Sequence, residues 1–478
     1  MTRAIYLVMF AALAACGGDD SINKTVDELQ DPATCMECHP KHVQQWSASM
    51  HAYASIDPVF VAMNKRGQRE TNGSLGTFCV KCHAPMAVEL GLTTGASFDP
   101  SALPAKAQGI TCYFCHNVKS VTDTHNNGLV LANDQTMRGG VNDPVKSSAH
   151  HSSYDPLMDS TSNKSEMCGS CHDVVTPRGV ELERTFKEWQ TTFFASSADN
   201  GQHLLTCGSC HMASSSDTIA DAPGVVRRND GFHEHLWPGI DQALTSFPGM
   251  DDMAAGIKRD LDGAIAVIGP SPLTSPAQPG GICLDPQGKL TVRIDSIGTG
   301  HSWPSGAAQD RRAWLEVRAY DDEIAGNLVF HSGTDAQGNS PTGDPEDLHD
   351  ATLFGLWDRT MKDDGTPAHF FWDVATENSQ LLRPPVTLDK NSAAFDHSST
   401  ATFLLPALSI DFTKIKRIET RIRINPLSYA MVDDLIASGD LAAGVRPQLK
   451  TLDILGSTSV WKLSTRGSGA ATGTPCNP

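Results

Sequence analysis

The chain has no apolar run long enough to cross a bilayer. Its longest, Ala4 to Ala15, is of signal-peptide length, whereas a spanning helix needs about 20 residues. Basic charge is also scarce. Lys and Arg number 37 against 55 Asp and Glu, a net charge of −18, which argues against nucleic acid as a partner because that role calls for a basic patch. An acidic surface serves solubility and suits docking to a basic protein. Hydrophobic periodicity is weak through much of the first half, as in "SFDPSALPAKAQGITCYFCHNV". Such a segment cannot build a core from its own side chains. The length, 478 residues, is enough for two or three domains.

What is present is cysteine in a regular pattern. Five times the sequence reads Cys-x-x-Cys-His: Cys35, Cys38 and His39; Cys79, Cys82 and His83; Cys112, Cys115 and His116; Cys168, Cys171 and His172; Cys207, Cys210 and His211. This is the attachment pattern of c-type haem. One helical turn offers two thiols to one edge of a porphyrin, and the next residue presents an imidazole to the iron. Zinc sites built on Cys pairs have no reason to place a His after every second Cys. The expectation is five covalently attached haem c groups, with the ten Cys as thioether residues and the five His as proximal iron ligands. The porphyrins themselves then supply the apolar core that the chain lacks.

Of the 13 cysteines, three remain. Cys16 follows Leu13, Ala14 and Ala15, which together resemble a bacterial lipoprotein box. That resemblance implies lipidation at Cys16, and Gly17 after it favours transfer to the outer membrane; plain secretory cleavage is the alternative. Cys283 and Cys476 both follow the haem region and, in an oxidising compartment, are expected to form a disulfide. Two separate free thiols are the alternative.

Composition divides the chain into a signal peptide over 1–15, a polar tether over 16–34, a pentahaem domain over 35–268, a Pro- and Gly-rich linker over 269–281 and a final domain over 282–478. Lys41 to Ala54 reads as a helix begun at Pro40. Glu181 to Phe194 reads as a helix with Leu182, Phe186, Trp189 and Phe193 on one side. Residues 126–165 read as loops. Beyond the linker the pattern changes to period two at Leu290 to Ile294, Ala313 to Ala319 and Ile418 to Ile424. With Leu328 to His331, His369 to Trp372, Thr402 to Leu405 and Ser459 to Leu463, about seven strands are expected. One helix, Tyr429 to Ser438, is closed by Gly439. The fold class is therefore α+β: a helical, loop-rich multihaem domain followed by an antiparallel β-sandwich.

"CMECHPKHVQQWSASMHA", "MCGSCHDVV", "ERTFKEW" and the loop "IGTGHSWPSG" together resemble multihaem cytochromes related to hydroxylamine oxidoreductase and ammonifying nitrite reductase. The resemblance implies distal iron ligation by His51 and by His301, the latter reaching the haem domain from the β-domain. His235, with His233 as its neighbour alternative, and His150, with His151, are further distal candidates. His125 or His203 is left for the fifth site. His42 reads as a surface or packing residue, as do His331, His349, His369 and His397.

The function expected is electron transfer among closely spaced haems, mainly bis-His, in a membrane-anchored electron carrier rather than an enzyme. Its partners would be other redox proteins, cytochromes or quinol-linked donors, with the outer membrane reached through the lipid anchor. One alternative is an oxidoreductase acting on a small nitrogen or oxygen compound at one open haem. In ammonifying nitrite reductases a Lys commonly replaces the His of the catalytic motif, and all five motifs here end in His. A second alternative is a subunit of a larger cytochrome conduit or filament.

Overall fold

The structure, a computed structural model, describes residues 22–159, 165–195, 205–264, 266–268, 281–296, 298–389 and 391–465. The expected signal peptide, Cys16, His203, most of the expected linker and Cys476 lie outside the described residues.

The first half consists of short helical turns and two-stranded sheets. The helix expected over Lys41 to Ala54 is two helices, Pro40–Ser47 and Met50–Tyr53. The division falls at Ser49, whose hydroxyl accepts from the Ala52 amide and donates to the Trp46 carbonyl. An N-cap of this kind starts a new helix rather than continuing the old one. The helix expected over Glu181 to Phe194 is also shorter. Glu181–Glu183 is a strand paired with Val174–Val175, and only Thr185–Gln190 is helical. Leu182 packs on Ala368 and Val374, while Phe186 and Trp189 are buried on the helix. The apolar stripe was therefore a sign of burial, not of one continuous helix.

Residues 126–159 are not loop throughout. Gly128–Leu131 pairs antiparallel with Val118–Asp123, and Thr136–Gly139 pairs in parallel with His151–Tyr154. An amphipathic helix, Met250–Ala264, follows, burying Met253, Ile257 and Leu261 against Leu236 and Ala48.

The second half holds two antiparallel sheets. One contains Ile282–Leu284, Lys289–Ser296 and Ser398–Leu404, with Ala266–Ile268 also paired to Lys289–Ser296. The other orders Leu328–Ser332, Arg312–Tyr320, Arg417–Asn425 and Leu452–Lys462, with Phe354–Leu356 on Arg312–Tyr320. Alternate residues of both, among them Leu290, Val292, Ile294, Leu315, Val317, Ile422 and Ile424, form one buried core, as face-to-face sheets require. His369–Trp372, expected as a strand, is bend and turn. Its aromatic rings pack outward against the first half instead.

That packing joins the halves. The helix Pro58–Glu70 lies against the helix Tyr429–Ala437, burying Val59, Ala62, Met431 and Leu435. A Cβ at Gly67 would stand 2.7 Å from the Trp372 ring, so only glycine allows the close approach. Arg66 reaches Asp434 at 3.1 Å and lies 4.2 Å over the Phe370 ring. Arg69 grips Asp440 with both terminal nitrogens at 2.6 Å.

Candidate haem-binding site

Each Cys-x-x-Cys-His motif folds into one helical turn. The His amide donates back to the carbonyl of the first Cys at 2.8 Å for His39, 3.3 Å for His83 and 3.0 Å for His172. The motifs at Cys112–His116 and Cys207–His211 are complete short helices. Thr111 and Thr206 cap them by accepting from the Phe114 and Ser209 amides. A turn closed this way puts both thiols on one side of the helix.

All five motifs face one cavity of about 1720 Å³, lined mostly by apolar surface. All ten motif cysteines line it.

The imidazoles show how this cavity suits haem. An iron bonded to two opposed imidazoles separates the ring centres by about 6 Å, given a metal–nitrogen bond of about 2.0 Å. Five pairs have that spacing. His42 stands 5.9 Å from His39, edge-on at 66° and on the helix that begins beside it. The other four join distant parts of the chain: His39 and His150 at 6.5 Å, His172 and His51 at 6.1 Å, His116 and His235 at 6.3 Å, His211 and His301 at 6.3 Å. In each pair one ring belongs to a motif and the other does not.

Hydrogen bonds turn the right nitrogen inward. Nδ1 of His39 donates to the Ile219 carbonyl at 2.8 Å, His116 to Arg138 at 2.6 Å and His211 to Pro238 at 2.9 Å. On the other side, Nδ1 of His150 donates to its neighbour's carbonyl at 3.0 Å, His235 to His233 at 2.9 Å and His301 to Ser302 at 2.8 Å. A carbonyl can only accept, so Nδ1 carries the proton and Nε2 keeps its lone pair for a metal. Burial also acts on six of the eight paired rings. It lowers His51 to about 3 and His301 to about 4, with His116, His150, His172 and His235 lowered as well. Neutral imidazole is the form that binds a metal.

His83 differs. Its Nδ1 donates to the Ala54 carbonyl at 3.4 Å, and Phe60 stacks on its face at 4.1 Å with the planes 1° apart. Among the described residues no second imidazole stands opposite it at the spacing of the other four.

Of the distal candidates, His51, His150, His235 and His301 are thus brought to the cavity, each opposite a motif His. His125 is not among the residues lining it, and its Nε2 lies 3.3 Å from Asp123. His233 lines the cavity, its Nδ1 donating to the Met212 carbonyl at 3.2 Å, but among the described residues no motif imidazole stands opposite it at that spacing. His42 also lines it, packed on Phe232 at 4.4 Å and edge-on to His235 at 4.6 Å. The carbonyls of Ile219, Arg138 and Pro238 had no signal in the sequence, because backbone atoms are the same at every position.

Residues 34–117 match the family model described as cytochrome c554 and c-prime. No curated protein matches the chain. Among solved structures, the crystal structure of a penta-heme cytochrome c552 from Thermochromatium tepidum is similar, with a TM-score of 0.55 and 18% identity, over 90% of this chain and 98% of that one. At that identity the likeness establishes the shared fold. The family match and the fold together support a multihaem c-type cytochrome with covalently bound haem c.

Proposed function

We propose that this chain is a pentahaem cytochrome that carries electrons through haems attached at Cys35/Cys38, Cys79/Cys82, Cys112/Cys115, Cys168/Cys171 and Cys207/Cys210. The observation that carries this reading is the set of four imidazole pairs at iron-spanning distance. A haem closed by two His ligands exchanges electrons without binding substrate. Haem c supplies the redox change. The chain supplies axial nitrogens, the carbonyls that orient them and an apolar cavity that sets potentials.

One observation favours a second reading. Because His83 has no opposed imidazole among the described residues, its haem has a place where a small nitrogen or oxygen compound can bind iron. That agrees with the kinship to hydroxylamine oxidoreductase and ammonifying nitrite reductase inferred from sequence. The reading extends to anchoring at Cys16, to the outer membrane and to partners that are themselves redox proteins. Among the described residues no helix is long and apolar enough to cross a membrane.

Intact mass and low-temperature EPR test both readings. Five haem adducts with four low-spin bis-His signals are expected, and CO added to the reduced protein should bind at one haem. Fewer than five adducts would overturn the pentahaem reading. Five low-spin haems with no CO binding would remove the open site and leave the electron carrier.

A further inference from the structure

We propose that Trp237 is a positioning residue shared by two haems: its indole orients His51, the distal ring opposite His172, and braces His235, the distal ring opposite His116. This rests on haem attachment at the third and fourth motifs.

The four distal rings are not held alike. His150, His235 and His301 each have Nδ1 fixed by a backbone carbonyl. His51 makes no such bond among the described residues. Its ring instead meets the Trp237 indole, with centroids 4.6 Å apart and planes at 60°. An imidazole bound to iron through one nitrogen can still turn about that bond, so a neighbouring group has to fix its plane. For His51 that neighbour is an aromatic ring rather than an acceptor.

The same indole stands 5.0 Å from His235, at 68°. Both distances lie in the range at which tilted aromatic rings attract. His235 has other supports as well. His42 meets it edge-on at 4.6 Å, the His233 carbonyl accepts from its Nδ1, and its amide donates to Gln45 Oε1 at 3.0 Å. Trp237 is thus the orienting contact for His51 and one of several for His235.

The backbone of Trp237 is strained to reach this place. Its φ is +46°, in a region that a bulky residue seldom occupies. Such a conformation persists where the surroundings over-determine it, and both neighbours of Trp237 are pinned. Leu236 is buried with Met253, Ile257 and Leu261. Pro238 is buried too, and its carbonyl accepts from His211. A Cβ on Gly256 would stand 3.1 Å from Leu236 and 3.2 Å from Pro238, so the helix Met250–Ala264 lies directly on both. The indoles of Trp46 and Trp189 are tied to the carbonyls of Ile110 and Leu205. The Trp237 N–H has no protein partner among the described residues. Its pinned backbone and the two imidazoles therefore place the ring.

EPR and redox titration of the full-length holoprotein test this. His51→Ala first identifies the haem concerned as the one that turns high-spin. Trp237→Gly then removes the ring with a residue at ease at positive φ, so the loop that holds His211 should stay in place. The low-spin signal of the His51 haem should change its g values, that of the His235 haem should shift less, and that of the His211 haem should not move. The midpoint potentials of the same two haems should be displaced. Trp237→Phe, which keeps a flat ring, should recover most of the wild-type His51 signal. A haem-replete Trp237→Gly protein with an unchanged His51 signal would overturn the proposal, as would equal shifts at every haem. Should Trp237→Gly not fold, Trp237→Leu decides, because it keeps apolar bulk without the ring: either the same two signals shift or the proposal fails. Intact mass counts the haems, and low-spin signals unchanged in His51→Ala would refute ligation by His51 itself. Failure of the haem reading is thereby told apart from failure of the role given to Trp237.

Discussion

His211 and His301 lie 90 residues apart in sequence, yet their rings are parallel to within 10° with centroids 6.3 Å apart. One belongs to the last haem motif and the other to a loop of the β-rich half. On the proposed reading, the loop of the β-rich half would supply the distal nitrogen opposite His211.

Replacing His301 with Ala should open that site. One further haem per chain should become high-spin in EPR, and CO uptake by the reduced protein should rise by one equivalent over the wild type. Low-spin signals unchanged from the wild type would show that His301 does not ligate.

Glu188 holds the His301 loop in place. Its carboxylate accepts from the Ser302 amide at 3.1 Å and from the Ser305 hydroxyl at 2.7 Å. Glu188→Ala leaves a partly buried amide without its acceptor, at a cost of about 1–3 kcal/mol. Denaturant unfolding should record that loss. EPR should show partial conversion of the same haem affected by His301→Ala, whereas Glu188→Gln, which keeps an acceptor oxygen, should lose less of both.

Gly109 supports the His51 site from behind. Its φ is +63° and a Cβ there would fall 2.5 Å from the His51 carbonyl oxygen, which itself accepts from the Ile110 amide at 2.9 Å. Gly109→Ala must strain the backbone, by about 1–3 kcal/mol, and displace His51. A lower midpoint of unfolding and a changed g-anisotropy for one haem are expected, with the other signals unaltered.

Stability should be greatest near neutral pH. Glu183 and Asp310 are raised by burial to about 7, and Glu377, raised by burial and by Asp358, to about 8. Between the ordinary carboxyl range and those values the folded chain binds more protons than the unfolded one, so stability falls as pH rises through that window. Asp440, with Arg69 hydrogen-bonded to it, and Asp134, with Arg138, are lowered to about 2. Their contribution is present above the ordinary carboxyl range and is lost as pH falls toward about 2. The buried histidines add to the acid side: His51, lowered to about 3, and His301, lowered to about 4, take protons first in the unfolded chain, so stability also falls as pH drops below the ordinary imidazole range. Thermal unfolding across pH should trace a maximum near neutrality; a maximum well below the ordinary imidazole range would contradict the burial of these rings.

Much of the site could be read from the one-dimensional pattern. The Cys-x-x-Cys-His spacing is local, set by a single helical turn, so the five motifs and their His residues were legible without a fold. Strand periodicity at Leu290 to Ile294 and Ile418 to Ile424 was equally local and marks real strands. Helix extent was less legible, because Ser49 caps a second helix and Leu182 buries its side chain from a strand rather than from the helix after it.

The sequence by itself determined which residues offer thiols and imidazoles, since covalent attachment needs only neighbours one turn apart. Which imidazole faces which was decided only in three dimensions. His125 and His301 are both plausible ligands as letters, but His125 stays beside Asp123, two residues away, while His301 is brought opposite His211, 90 residues away.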